Sequence, residues 1–121
     1  MPTGGDVVVL ASTLDWIVDH LHEPITVEQM AAHACTSVRT FMRRFRATTG
    51  TTPSRWLTQR RIDHARRMLE TTDAPVDRVA QNSGFGTAAN LRAHFQRAVG
   101  TTPTAYRRAF RVSERGAALP G

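Results

Sequence analysis

An internal repeat of about fifty residues is the feature that most limits the folds open to this chain. Residues 27–31 resemble residues 76–80, which lie 49 positions later. Residues 41–56 and 91–106 then share apolar positions, a glycine and a Thr-Thr-Pro sequence at an offset of 50, so the second copy gains one residue near Gly84-Phe85-Gly86. Each copy predicts a short helix, a tight turn and a longer helix, which is the order of a helix-turn-helix unit. Because two copies are too few for a solenoid, we expect two small helical units.

Helical periodicity extends through the rest of the chain. Apolar residues recur at helical spacing between Gly- and Pro-containing breaks, and no hairpin signal appears. The sequence therefore predicts an all-α fold of about seven helices, with two helix-turn-helix subdomains joined by one long linker helix. The predicted helices cover about residues 7–22, 26–34, 37–49, 52–71, 76–82, 87–99 and 103–111. We divide the domain, 7–112, into a first subdomain (7–50), a linker helix (51–72) and a second subdomain (73–112), with flexible ends at 1–6 and 113–121.

Local signals support these boundaries and indicate a core. Thr26 and Gln29 form a capping-box pattern, and Gly50 suits a helix C-cap. Trp56 and Tyr106 occupy equivalent repeat positions, and we expect them in the core rather than as base-stacking platforms. The other residues expected to face inward are Leu10, Leu14, Ile17, Val18 and Leu21 in the first helix, Val38, Phe41, Phe45 and Thr48 in the third, and Leu57, Ile62, Ala65, Met68 and Leu69 in the linker.

Positive charge is concentrated in the later part of the chain. The net charge is +6, and all 16 basic residues are arginines. Residues 1–38 hold five acids and no arginine, whereas residues 39–121 hold every arginine and the other five acids. This distribution suits a polyanionic partner, although a merely solvated basic face has the same composition.

The outward faces of the longer helices favour DNA as that partner. Arg39, Arg43 and Arg46 share one stripe of the third helix with no acid beside them, so they repel one another unless an external anion is bound. Arginine can donate two hydrogen bonds to guanine O6 and N7 in the major groove. The equivalent face of the second copy holds Ala89, Arg92, Ala93 and Gln96.

Several motifs resemble the DNA-binding domain of the AraC/XylS family of bacterial transcriptional regulators. The matching residues are Met30-Ala31, Ser37-x-Arg39-x-Phe41-x-x-x-Phe45, Gly50-x-x-Pro53, Arg61-x-x-x-Ala65, Val79-Ala80, Gly84-Phe85, Phe95 and Gly100-x-x-Pro103-x-x-Tyr106-Arg107. The resemblance extends from about Leu14 to Arg111. Residues 84–92 further resemble the branch with an amidotransferase-like N-terminal domain. Such a domain is absent here, so the chain is interpreted either as a C-terminal fragment or as a short stand-alone regulator.

The resemblance implies that two recognition helices enter successive major grooves of duplex DNA. By position in the family motifs, the expected base contacts are Arg39, Met42, Arg43, Ala88, Ala89 and Arg92. For Met42 the contact is expected to be a thymine methyl group. The expected phosphate contacts are Ser37, Thr40, Arg44, Arg46, Thr87, Asn90 and His94.

Other residue clusters do not fit a catalytic or metal site. His20 and His22 would point about 200° apart on a helix. His33 and Cys35 lack further ligands, and we expect Cys35 to be a small buried residue of the first turn. Gly84-x-Gly86 lacks the preceding strand of a phosphate loop. We therefore expect no metal, no cofactor and no enzymatic activity.

Three classes of function are compared. A transcription factor is favoured over an RNA-binding module, because the narrow major groove of RNA excludes helices. A protein-interaction domain that retains the fold is the third class. The expected partners are double-stranded DNA and RNA polymerase, with an effector or dimerisation domain preceding this one. A single cysteine and the absence of a long apolar run indicate a cytoplasmic, nucleoid-associated protein without membrane contact.

Overall fold

Seven helices follow one another in the computed structural model, which describes residues 4–118 and the side chains of residues 9–114. The helices are α1 (Gly4–Asp19), α2 (Val27–His33), α3 (Val38–Thr49), α4 (Pro53–Thr71), α5 (Val76–Asn82), α6 (Ala88–Val99) and α7 (Pro103–Ala118). No strand occurs in the described range. The predicted all-α class is therefore confirmed.

The inner helix boundaries agree with the sequence signals. Thr26 and Gln29 form the predicted capping box, with bonds of 3.1 Å and 2.9 Å between each side chain and the other residue's backbone N–H. Gly50 and Gly100 end α3 and α6 in the left-handed conformation, at φ 78° and 84°. A β-carbon disfavours that conformation, which explains the glycine at both repeat positions.

The outer boundaries differ from those predicted. The first helix ends at Asp19 rather than near His22, because the chain tightens into i→i−3 turns there, including a 3.1 Å bond from His20 N–H to Ile17 O. At the other end, α7 continues past 111 to Ala118, since no proline interrupts it before Pro120. Of the ends predicted to be flexible, residues 4–6 and 113–118 lie in α1 and α7, and residues 1–3 and 119–121 lie outside the described residues.

The backbone contacts divide the chain into two compact units, Met1–Arg60 and Arg61–Gly121. The division falls inside α4, so the N-terminal half of this helix belongs to the first unit and its C-terminal half to the second. Each unit has a separate apolar core.

Aromatic rings from α3 occupy the centre of the first core. Phe41 and Phe45 are 1% and 0% exposed, and the Trp56 ring meets Phe45 edge-on at 5.9 Å. The other members of this core are Leu10, Ile17, Leu21, Met30, Ala31 and Leu57.

Three residues predicted to lie inside the first unit are exposed. Val18, Val38 and Thr48 all lie on the surface. Val18 follows the fully buried Ile17, and a step of about 100° around the helix turns it outward. Thr13, one turn before Ile17, is buried instead, and its hydroxyl lies 2.8 Å from His33 Nδ1.

The second core repeats this arrangement with one addition. Leu91 and Phe95 of α6 are fully buried, and the Tyr106 ring meets Phe95 edge-on at 5.5 Å. Phe85, from the longer turn, is 7% exposed and joins the same core. The remaining members are Ile62, Ala65, Leu69, Val79 and Ala80. As predicted, the equivalent rings Trp56 and Tyr106 pack on the cores.

Two arginines of α7 hold the end of α4. Arg107 Nε donates to Leu69 O at 3.1 Å, and Arg111 Nη2 donates to Thr72 O at 2.9 Å. Arg111 also pairs with Asp73 at 2.6 Å. Basic side chains favourably meet the unpaired carbonyls at a helix C-terminus. Among the described helices, none is long and apolar enough to span a lipid bilayer.

Candidate nucleic-acid interface

The turns that precede α3 and α6 set the start of each candidate recognition helix. In the first turn, Cys35 adopts a left-handed backbone at φ 57°, and in the second Gly84 does so at φ 90°. These residues are related by the offset of 49 in the repeat. The Cys35 side chain is exposed, so the expectation that it is buried was wrong. The left-handed backbone directs its thiol outward.

Hydroxyl side chains cap both recognition helices. Ser37 Oγ accepts a hydrogen bond from Thr40 N–H at 3.2 Å, and Thr87 Oγ1 accepts one from Asn90 N–H at 3.1 Å. An accepting hydroxyl keeps its own O–H as a donor. The caps therefore place one such donor, together with the unpaired N–H groups of the first turn, at each helix N-terminus, where anions bind well.

The outer face of α3 carries exposed arginines. With Phe41 and Phe45 buried, the opposite side of the helix presents Arg39, Arg43 and Arg46, all exposed. Within the described part of the chain, none of these three guanidiniums has a hydrogen-bond or ion-pair partner, and α3 itself contains no acid. These three guanidinium groups are therefore available to bind an external anion.

The flanks of this face differ from one another. Met42, 37% exposed, lies on one flank. On the other flank, Thr40 and Arg44 are half-buried. Arg44 interacts within the chain and lines a cavity of about 250 Å³ with Leu10 and Phe41.

The outer face of α6 is smaller and less charged. Ala89, Arg92, Ala93 and Gln96 are exposed, whereas Ala88 is 8% exposed. Ala88, an expected base contact, is therefore buried and does not lie on the exposed face. It follows the longer turn, whose Phe85 lies in the core.

The two polar residues predicted beside this face have structural contacts. Asn90 Nδ2 donates to Phe85 O at 2.9 Å and so closes the longer turn. The His94 ring lies 5.1 Å from the Phe85 ring. Burial lowers the pKa of His94, and the nearby Arg97 and Arg61 guanidiniums lower it further. His94 is therefore held neutral at neutral pH.

The structure also places residues on these faces that were not among the predicted contacts. Val38 is 37% exposed at the start of α3. Ala93 and Gln96 lie on α6 at the positions equivalent to Arg43 and Arg46. The offset of 50 alone identifies the latter two. Elsewhere in the described residues, no group of three or more histidine, cysteine or acidic side chains could hold a metal ion.

Comparison with known proteins agrees with this geometry. A sequence family described as a helix-turn-helix domain matches residues 30–109. The solved DNA-binding domain of AdpA, a global transcriptional factor crystallised with a target DNA, is similar with a TM-score of 0.83 and 48% identity, over 86% of this chain and 94% of that one. A regulator from Chromobacterium violaceum with an AraC-type DNA-binding domain shares the fold, with a TM-score of 0.79 and 22% identity over 98% of this chain and 100% of that one.

The chain belongs to the AraC family of helix-turn-helix DNA-binding domains. The transcriptional activator RhaS of Klebsiella pneumoniae is 34% identical over 94 residues, which are 78% of this chain and 34% of RhaS. The chain spans about a third of the length of the curated relatives it matches. The AraC family consists of transcription regulators, and the chain is a DNA-binding domain rather than an enzyme.

Proposed function

We propose that this AraC-type domain regulates transcription by reading duplex DNA, with α3 and α6 in successive major grooves. The observation that carries the proposal is the exposed arginine face of α3. Arg39 and Arg43 lie one helical turn apart, and neither has an anionic partner within the described residues. Two such guanidiniums match guanine edges, each of which offers two acceptors in the major groove.

The side chains divide into two kinds of proposed contact. Base contacts are assigned to Arg39, Met42, Arg43, Ala89 and Arg92. Ala88, which sequence position alone would include, is left out because its side chain is buried. Phosphate contacts are assigned to Ser37, Thr40, Arg44, Arg46, Thr87, Asn90 and His94. Asn90 would donate to phosphate through the second N–H of its Nδ2, because the first donates to Phe85 O.

The length of α4 supports the assignment of two grooves. Its 19 residues form one uninterrupted helix, which spans about 28 Å at 1.5 Å per residue. Successive major grooves lie roughly 34 Å apart on one side of B-DNA. The length of α4 is close to that spacing, and a slight bend in the DNA would ease the fit.

Further partners are also part of the proposal. We infer that RNA polymerase is contacted at the promoter, that an N-terminal effector or dimerisation domain works together with this domain, and that the protein acts in the nucleoid. The name of the related activator RhaS and the greater length of the curated relatives support this inference.

Selection of bound sites from random duplex DNA tests the proposed function. We expect a bipartite consensus in which Arg39→Ala and Arg43→Ala relax positions of one half-site and Arg92→Ala relaxes positions of the other. The first half-site should be the more sharply specified, because α3 offers two long donors and α6 offers one. Arg108→Ala, which removes an exposed arginine of α7, is the matched control and should leave the consensus unchanged.

Salt dependence and competition add two independent checks. About five to eight phosphate contacts should each contribute roughly −0.9 to the slope of log affinity against log salt concentration, so affinity should fall steeply as salt rises. Duplex RNA should compete poorly. A slope near zero, equal competition by duplex RNA, or a selected pool without a consensus would each contradict the proposed function.

A further inference from the structure

A strip of two apolar side chains lies beside the arginine face of α3. Val38 and Met42 are each 37% exposed and lie one helical turn apart on the same flank of the helix. Arg39 and Arg43 directly follow them in sequence. Residues one turn apart form a column, and each strip residue lies about 100° around the helix from the arginine that follows it. The strip therefore lies on the flank between the arginine column and the buried side that carries Phe41 and Phe45.

The other large exposed apolar side chains of the described residues do not form such a pair. Val9 and Val18 are nine residues apart on α1 and so point to opposite sides of it, and Val112 stands alone on α7. Isolated exposed apolar residues are common on protein surfaces. Val38 and Met42 differ from these because they are neighbours on the flank of an arginine face, where an apolar group of a bound partner could cover both.

The second unit lacks this strip, although the repeat supplies the equivalent positions. Ala88 takes the place of Val38 and is buried at 8%, and Arg92 takes the place of Met42. The apolar strip is therefore a property of α3 alone and not a requirement of the helix-turn-helix fold.

We propose that Val38 and Met42 together form a recognition site for the C5-methyl group of thymine, next to the base pairs contacted by Arg39 and Arg43. The proposal rests on the proposed function and adds Val38 to its specificity-determining residues. Thymine C5-methyl is the distinctive apolar group on the base edges of the major groove. When the arginine column faces those edges, the strip on its flank faces a neighbouring base pair, where it would exclude water from the methyl group.

Replacement of thymine by deoxyuridine tests the site, because it removes the methyl group and keeps the base pairing. On the selected duplex, each thymine of both half-sites is replaced in turn, and affinity is measured at fixed salt. For the parent protein we expect about a fourfold loss at one or two thymines of the α3 half-site, the effect of one buried methyl group.

Two truncations assign that loss to the strip. In Val38→Ala and in Met42→Ala, the thymine-to-uridine difference should fall to less than about twofold, because the methyl group loses its apolar counterpart. Val112→Ala truncates an equally apolar, exposed side chain on α7 and should keep the full difference. Thermal unfolding of all three variants should match the parent, since these side chains lie outside the cores.

The outcomes separate this inference from the proposed function. Specific binding with no uridine effect in the α3 half-site overturns the thymine site and leaves the proposed function intact. A uridine effect that persists in both truncation variants also overturns the site. Loss of specific DNA binding by the parent protein itself would instead refute the proposed function.

Discussion

Replacement of Cys35 by glycine should stabilise the first unit. Cys35 has φ 57°, and the equivalent residue of the second unit is Gly84, with φ 90°. A β-carbon in the left-handed region crowds the neighbouring carbonyl oxygen at a cost of about 1–2 kcal/mol. Glycine avoids this cost, but it also gives the unfolded chain more freedom, which costs about 0.4–1 kcal/mol.

The side chain itself offers little to compensate. The Cys35 thiol is exposed, and its sulfur lies 3.9 Å from His33 O, a weak contact. The difference between the two backbone effects therefore decides the outcome, and we expect the free energy of unfolding to rise by about 0.5–1 kcal/mol. For a domain of this size that corresponds to an increase in Tm of roughly 2–6 °C.

Thermal and urea unfolding followed by circular dichroism measures the change. Cys35→Ala is the control, because it removes the thiol and keeps the β-carbon, and it should unfold like the parent. Gly84→Ala is the reverse experiment and should lower the free energy of unfolding by about 0.5–1 kcal/mol, the same difference with the opposite sign. If Cys35→Gly and Cys35→Ala were equally stable, backbone strain would not be the cause and the reasoning would be refuted.

Three further predictions concern the cores, the linker and pH. Phe41→Ala and Phe95→Ala should each cost about 3–5 kcal/mol in urea unfolding, because each ring is buried at the centre of its core; parental stability would show that the helix faces are misassigned. Ile62→Pro should break α4 and lower the free energy of unfolding by about 3 kcal/mol or more. If this variant protected a site of roughly 20 base pairs at parental affinity, α4 would not act as a rigid bridge. Burial lowers the pKa of both His64 and His94 below 6.5, so their neutral forms stabilise the fold; stability should fall as pH drops below 6.5, and less so in His94→Gln.

The sequence by itself determines the helical architecture. Its signals are local: the capping box at Thr26 and Gln29, the left-handed glycines after α3 and α6, and the apolar spacing around Phe41 and Phe45. Such signals act within one or two helical turns, so they can be read without tertiary contacts. The same spacing, combined with the repeat, placed the exposed arginines of α3.

Where helices end or turn, the sequence determined less. The end of α1 depends on a tightened turn, and the left-handed backbone of Cys35 depends on the packing of α2 and α3 on either side of it. Non-glycine residues rarely adopt this conformation unless the surrounding structure imposes it. Sequence therefore predicted a buried cysteine where the fold has an exposed one.

Only the tertiary structure decided solvent exposure where two equivalent repeat positions differ. Val38 and Ala88 are equivalent in sequence, yet the first is 37% exposed and the second 8%. The difference arises beside the longer second turn, where Phe85 enters the core. Likewise, periodicity marked α4 as a single apolar-faced helix, whereas its contacts divide it between two cores at Arg60 and Arg61. Local periodicity specifies a helix and its apolar stripe, but burial depends on neighbouring elements that are distant in sequence.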